Sequence, residues 1–233
     1  MFFWDPMYFV FALPALILGF YAQMKVQGAF NRYSAMPNRK GISGSQAARY
    51  LLSASDLRNV NVEGAQRLLA DHYDPRSRIL RLSPAVATEP SVAALGVVAH
   101  EVGHALQDKE AYVPLQIRSG LVPVVSFGSW LGPILFLIGF LFLPKSNLAW
   151  IGVIVFSLSA VFALVTLPVE LDASRRALQL LTTTGLVVGT EEKQGVSEVL
   201  SAAAWTYVAA VAQALSTLLY YVFLLTGFSR RRD

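Results

Sequence analysis

Val97-Val98-Ala99-His100-Glu101-Val102-Gly103-His104-Ala105-Leu106-Gln107 is the stretch from which the rest of this chain can be read. It contains His-Glu-x-x-His, two histidines four residues apart with a glutamate beside the first. On an α-helix, positions i and i+4 share one face, so both imidazoles can reach a single metal ion. Two neutral ring nitrogens suit Zn²⁺, and Glu101 then stands where it can take a proton from a zinc-bound water. Coincidence is the weaker account. With three histidines and eight glutamates in 233 residues, a chance match is expected in about one chain in a thousand.

The chemistry requires the stretch to be helical, and the flanking residues support that. Glu89 and Pro90 suit a helix start, because proline is tolerated in a first turn and acid favours the positive helix end. Ser91 to Leu106 has no proline and is rich in alanine and valine, with Lys109 near the expected end. Gly96 and Gly103 cost helix propensity, and at such positions they mark close backbone packing. The expected partner is the element that carries the remaining ligand.

Composition places this helix in a membrane protein. The chain is 55% hydrophobic with a mean hydropathy of +0.49 and a formal charge of +4. Here the charge reads as membrane topology, and no basic stripe interleaved with aromatics suggests nucleic acid. The absence of cysteine rules out disulfides and thiolate zinc ligands.

Met7 to Met24 is uncharged and long enough to span a bilayer, which needs roughly 20 apolar residues. It lacks a basic leader and a small-residue cleavage site, so it reads as a retained anchor, mildly bent at Pro14. Lys25 to Lys40 reads as a polar juxtamembrane linker. Ser43 to Ser55 is expected to be a helix, with Ser43 and Gln46 at capping-box spacing. Val60 to Glu63 alternates like a short strand, and Arg67-Leu68-Leu69-Ala70 suggests another. The turn Asp74-Pro75-Arg76-Ser77 leads into Ile79-Leu80-Arg81-Leu82-Ser83, a strand of period 2. That strand is expected either to offer a free edge to an extended peptide or to act as scaffold. Two uncharged runs follow, Ser119 to Pro144 and Leu148 to Val169, joined at Lys145-Ser146-Asn147 as a hydrophobic hairpin. Ala202 to Phe228 is a fourth and weaker candidate span, ending in Arg230, Arg231 and Arg232.

The expected organisation is therefore an N-terminal anchor (1–24), a metal-binding core (25–118), a transmembrane hairpin (119–169), a ligand helix and loop (170–200), and a C-terminal span with a basic tail (201–233). With the core inside, four spans leave 15 of the 19 basic residues inside and Lys145 with the triple arginine outside. The positive-inside rule thus places the core in the cytoplasm, against the local pull of the terminal arginines.

A third ligand must be a neutral nitrogen or a carboxylate. The candidates are His72, Asp71, Asp74, Glu170 and Asp172. Glu170 stands apart because it lies where the third apolar run ends, and the hairpin brings it back to the starting side. The alternative is an interfacial charge paired to Arg175 or Arg176.

His100-Glu101-Val102-Gly103-His104, Asp71-His72-Tyr73-Asp74-Pro75, Leu80-Arg81-Leu82-Ser83 and Pro168-Val169-Glu170-Leu171-Asp172-Ala173-Ser174 together resemble the YugP-type bacterial membrane neutral zinc metallopeptidases. The resemblance covers most of the chain. It implies a gluzincin-like α+β integral membrane protein, with a small antiparallel sheet and a transmembrane helix bundle whose hairpin is inserted between the metal ligands. It also implies His100, His104 and Glu170 as ligands, a bacterial inner-membrane location, and hydrolysis of peptide or protein substrates. The wider gluzincin group commonly has an aspartate four residues after the glutamate. Here Ser174 stands there, and Asp172 is the candidate for orienting a ligand.

The reading from sequence is a membrane zinc metalloendopeptidase with Glu101 as general base. His72, Tyr73 and Arg175 are the candidate donors to the oxyanion. Two alternatives compete with it. An intramembrane protease would need the zinc helix to span the bilayer, yet Asp108, Lys109 and Glu110 follow it closely. A zinc-dependent sensor or structural protein would have no need of Glu101.

Overall fold

The computed structural model describes residues 6–65 and 71–229. Arg67-Leu68-Leu69-Ala70, where a further strand was expected, and the terminal arginines 230–232 lie outside the described residues. The elements run α1 (Pro6–Ser34), α2 (Gly44–Ala54), β1 (Asn61–Gly64), β2 (His72–Asp74), β3 (Ile79–Leu82), α3 (Pro84–Thr88), α4 (Val92–Lys109), α5 (Val113–Leu141), α6 (Leu148–Thr183) and α7 (Gly189–Ser229). The protein is mostly helical. The chain forms two compact units, one of Gln23–Gln116 with Pro168–Trp205, the other of Met1–Ala22, Ile117–Leu167 and Thr206–Asp233.

The first unit is built around α4. Ser43 and Gln46 form the expected capping box of α2: the Ser43 N–H donates to Gln46 Oε1 at 2.9 Å and the Gln46 N–H to Ser43 Oγ at 3.3 Å. Ala47, Ala48, Leu51 and Leu52 then bury one stripe of α2 in a core shared with Val92, Leu95, Val98, Ala99 and Val102 of α4. Ala177 and Leu181 of α6 and Val196 of α7 close the same core.

Three details of this unit differ from the sequence reading. The cap of α4 is Ser91, whose Oγ accepts the Ala94 N–H at 3.1 Å, and Glu89 instead ends the short helix α3. Serine caps better than the Glu89-Pro90 pair because its hydroxyl satisfies an otherwise orphaned backbone donor. The segment after Met24 is not a linker as far as Ser34, because α1 continues through it and Ala29, Phe30 and Tyr33 pack on the core.

The sheet is mixed where an antiparallel one was expected. β2 pairs antiparallel with β3 through the Asp74-Pro75-Arg76-Ser77 turn, whereas β1 pairs parallel with β3, Asn61 opposite Ile79. The order β1-β3-β2 puts β3 in the centre. Both its edges are therefore paired, which, of the two expected roles, fits the scaffold and leaves no free edge for a peptide. Period 2 does hold: Leu80 and Leu82 are buried, and Arg81 points the other way toward Glu63 and Asp74.

α5 begins at Val113, ahead of the uncharged run, with Pro114 in its first turn, where proline is tolerated, and from Ile117 onward it belongs to the second unit. α5 and α6 meet at very close range. A Cβ on Gly152 would lie 2.4 Å from the Phe136 nitrogen, and one on Gly139 would lie 2.2 Å from the Ala149 nitrogen. Small residues permit this approach, which is how apolar helices associate in lipid. Phe136 stacks on Tyr221 of α7 with ring centroids 4.0 Å apart. Outward, Phe127, Trp130 and Ile154 are largely exposed. The helices Pro6–Ser34, Val113–Leu141, Leu148–Thr183 and Gly189–Gly227 are long and apolar enough to cross a membrane.

Candidate metal centre

The two histidines of α4 stand one turn apart, their rings edge to face with centroids 4.7 Å apart. Glu170 Oε2 of α6 lies 3.0 Å from His100 Nε2 and 3.5 Å from His104 Nε2. Among the described residues these three form a group whose ligand atoms all lie within 4.8 Å of one another and could hold a metal ion. His72, Asp71, Asp74 and Asp172 do not join it.

Local packing explains the convergence. Gly103 lies one residue before His104, and a Cβ on it would sit 2.6 Å from the Ala173 carbonyl oxygen, so α4 and α6 touch backbone to backbone. Gly96, by contrast, makes only ordinary contacts, the nearest being Val196 Cγ1 at 3.7 Å. The signal read from both glycines is therefore carried by Gly103 alone.

Each imidazole has a further partner at Nδ1. His104 Nδ1 lies 3.0 Å from Gln107 Oε1, and His100 Nδ1 lies 3.2 Å from Ser174 Oγ. Both Nε2 atoms consequently face Glu170. Two imidazole nitrogens and one carboxylate oxygen, buried and converging with their outer nitrogens already partnered, fit a zinc site with one position left for water or substrate. Burial works against a charge on His104, but its contact with Glu170 and the charges of Glu101 and Glu170 raise its pKa above the ordinary histidine value.

Glu101 is buried beside this group, and its Oε2 accepts the Tyr73 backbone N–H at 2.9 Å. Strand β2 thus touches the side chain expected to act as base. The Tyr73 phenol donates to Asp108 Oδ2 at 2.8 Å, and burial together with this bond pushes its pKa well above the ordinary value. Tyr73 therefore spans two turns of α4, from Glu101 to Asp108.

His72 stands exposed on the same strand, with Nε2 3.2 Å from Arg81 Nη1. Arg175 is exposed and pairs with Asp172. Asp172 also accepts from Arg176 Nε at 2.5 Å and from Gln107 Nε2 at 2.9 Å, and so reaches His104 through Gln107 rather than directly. Asp71 caps Ser83, accepting its N–H at 2.7 Å.

Gln107 and Ser174 were not singled out from sequence as histidine partners. Their spacing was informative: Gln107 is three residues beyond His104, on the same helix face, and Ser174 is four beyond Glu170. The structure places Ser174 on His100.

A histidine pair on one helix, closed by a buried glutamate from another, in a chain with four helices of bilayer length, defines a membrane protein with a metallopeptidase-like centre. The comparisons agree, and the chain belongs to the family described as "Putative neutral zinc metallopeptidase", which it matches over residues 8–226. It is similar to "Putative membrane protease YugP" of Bacillus subtilis (strain 168), at 45% identity over 219 residues, covering 94% of this chain and 96% of that protein. No solved structure matches the chain.

Proposed function

We propose that this protein is a membrane-bound zinc metalloendopeptidase in which His100, His104 and Glu170 hold Zn²⁺ and Glu101 is the general base. The observation that carries the reading is the convergence of His100 Nε2, His104 Nε2 and Glu170 Oε2 in a buried site. Zinc, when bound, supplies Lewis acidity that brings the pKa of a water to about 7 and polarises a scissile carbonyl.

The protein's own groups do the rest. Glu101 takes the proton of the attacking water and delivers it to the leaving amine. The Tyr73 N–H steadies the Glu101 carboxylate from β2. His72, Tyr73 and Arg175 are the candidates to donate to the developing oxyanion, and each has a partner to leave: Arg81 for His72, Asp108 for the Tyr73 phenol and Asp172 for Arg175.

The substrate is a peptide or protein, reached from the cytoplasmic side of a bacterial inner membrane. Helix α4 is not one of the four helices of bilayer length, which supports a site outside the bilayer over an intramembrane one. Glu101, buried beside the ligands without being one of them, favours catalysis over a purely structural metal site. The test is zinc analysis of the purified full chain beside cleavage of a peptide library. Stoichiometric zinc with cleavage that Glu101→Gln abolishes is expected. Zinc without any cleavage would favour the structural or sensing role.

A further inference from the structure

We infer that Gln107 is a positioning residue that fixes the ring proton of His104, so that the relay Asp172–Gln107–His104 sets the metal affinity of the centre. Gln107 is completely buried. One end of its amide lies 2.8 Å from the Val169 carbonyl oxygen and 2.9 Å from Asp172 Oδ2. The backbone carbonyl can only accept, and the Asp172 carboxylate, paired with Arg175 and Arg176, also accepts. That end must therefore be the NH₂, with one hydrogen for each acceptor. This fixes the assignment of an amide whose oxygen and nitrogen are otherwise easily exchanged.

The other end is then the oxygen, and it faces His104 Nδ1 at 3.0 Å. An amide oxygen only accepts, so Nδ1 carries a proton, and the neutral ring then offers its lone pair at Nε2. Nε2 is the atom turned toward Glu170 Oε2, 3.5 Å away. The opposite tautomer would direct an N–H at the ligand position. A histidine ligand commonly has its outer nitrogen oriented directly by a carboxylate or a carbonyl. Here the carboxylate acts through an intervening amide, because Asp172 meets Gln107 and not the ring.

The two histidines differ in this respect. Ser174 Oγ, 3.2 Å from His100 Nδ1, can donate or accept and so dictates no tautomer. The constraint on the site rests on the Gln107 side. Its anchors Val169 and Asp172 flank Glu170 on α6, so the segment that supplies the third ligand also orients a ligand of α4.

The inference rests on the ligand set of the proposed function. The experiment measures the zinc dissociation constant of the full-length protein in detergent, by competition with a chromophoric chelator, and the melting temperature of the metal-free form. The variants are Gln107→Leu, Gln107→Glu, Asp172→Asn, and the double swap Gln107→Glu/Asp172→Asn. Gln107→Leu is expected to weaken zinc binding by about 10–100-fold, the usual effect of losing such a partner.

Gln107→Glu alone sets a carboxylate against Asp172 and is expected to bind weakly. The double swap restores a donor–acceptor contact between residues 107 and 172 but leaves the Val169 carbonyl facing an acceptor, and is expected to bind zinc more tightly than Gln107→Glu alone without reaching wild type. Wild-type affinity in Gln107→Leu would overturn the inference. So would a double swap no tighter than Gln107→Glu alone in a metal-free protein that melts like wild type. Loss of the folded metal-free protein in Gln107→Leu would assign Gln107 to packing instead. If wild type binds no zinc at all, the ligand set itself fails, which is a distinguishable result.

Discussion

Gly103→Ala is the perturbation whose outcome follows most directly from the geometry. Its added Cβ would lie 2.6 Å from the Ala173 oxygen, 3.2 Å from the carbonyl carbon and 3.3 Å from the Cα. All three are backbone atoms, so no side-chain rotation relieves the clash. Restoring ordinary contact at about 3.4 Å means separating α4 and α6 locally by roughly 0.8 Å. Metal–ligand distances tolerate only about 0.2 Å. His104 is the next residue on α4, and Glu170 is three residues before Ala173 on α6, so the separation falls on the ligand set.

Overpacking costs about 1–3 kcal/mol, and replacing a helical glycine by alanine returns up to about 1 kcal/mol. The net loss of metal-free stability is thus about 0–3 kcal/mol, a fall in Tm of at most about 12 °C at roughly 2–4 °C per kcal/mol for a chain of this size. Zinc affinity is expected to fall much further, by about an order of magnitude or more. Gly96→Ala is the internal control, since its Cβ would meet Val196 Cγ1 at 3.7 Å without clash. It should leave zinc binding unchanged and raise Tm slightly. Thermal unfolding with and without chelator, together with a zinc competition titration, measures both quantities. If Gly103→Ala behaves like Gly96→Ala, the close approach of α4 to α6 does not set the site, and the reasoning is refuted.

Other expectations bear on the same centre. Glu101→Gln should abolish hydrolysis while zinc stays near stoichiometric, and metal loss in that variant would give Glu101 a different role. Glu170→Ala should lose zinc together with the stabilisation RT ln(1 + [L]/Kd) that zinc gives the folded state, measured as the zinc-dependent part of Tm. His72→Ala should keep zinc and lose turnover, and the reverse pattern in these two variants would make His72 the third ligand. A reporter fused near Gly64 should be cytoplasmic and one in the Lys145-Ser146-Asn147 turn outside, as the distribution of basic residues predicts. A periplasmic signal at Gly64 would invert the orientation.

What the sequence made legible was local. The capping box of Ser43 and Gln46, the alternation of Leu80 and Leu82, and the i, i+4 histidines all depend on residues within one turn or one strand, and each appears where its spacing placed it. Pairing was not legible. The parallel partnership of β1 with β3 depends on the chain crossing between β1 and β2, and no residue pattern encodes that crossing. Boundaries failed where a nearby alternative satisfied the backbone better, as when Ser91 capped α4 in place of Glu89 and Pro90.

The third ligand lies between these cases. Five side chains could have met the two histidines, and spacing alone did not choose among them. Gly103 held a usable clue, because a glycine inside a helix permits another backbone to come within Cβ distance, as happens at Gly103 and not at Gly96. The neighbour it admits, Ala173, is three residues from Glu170 and next to both Asp172 and Ser174. On a helix those offsets keep Glu170, Ala173 and Ser174 on one face. The residue that lets α4 and α6 touch therefore lets three groups act at once: Glu170 between the rings, Ser174 on His100, and Asp172 on Gln107. A bulkier residue at Gly103 would strain all three contacts together, which is why its substitution tests the site as a unit where ligand substitutions test it one atom at a time.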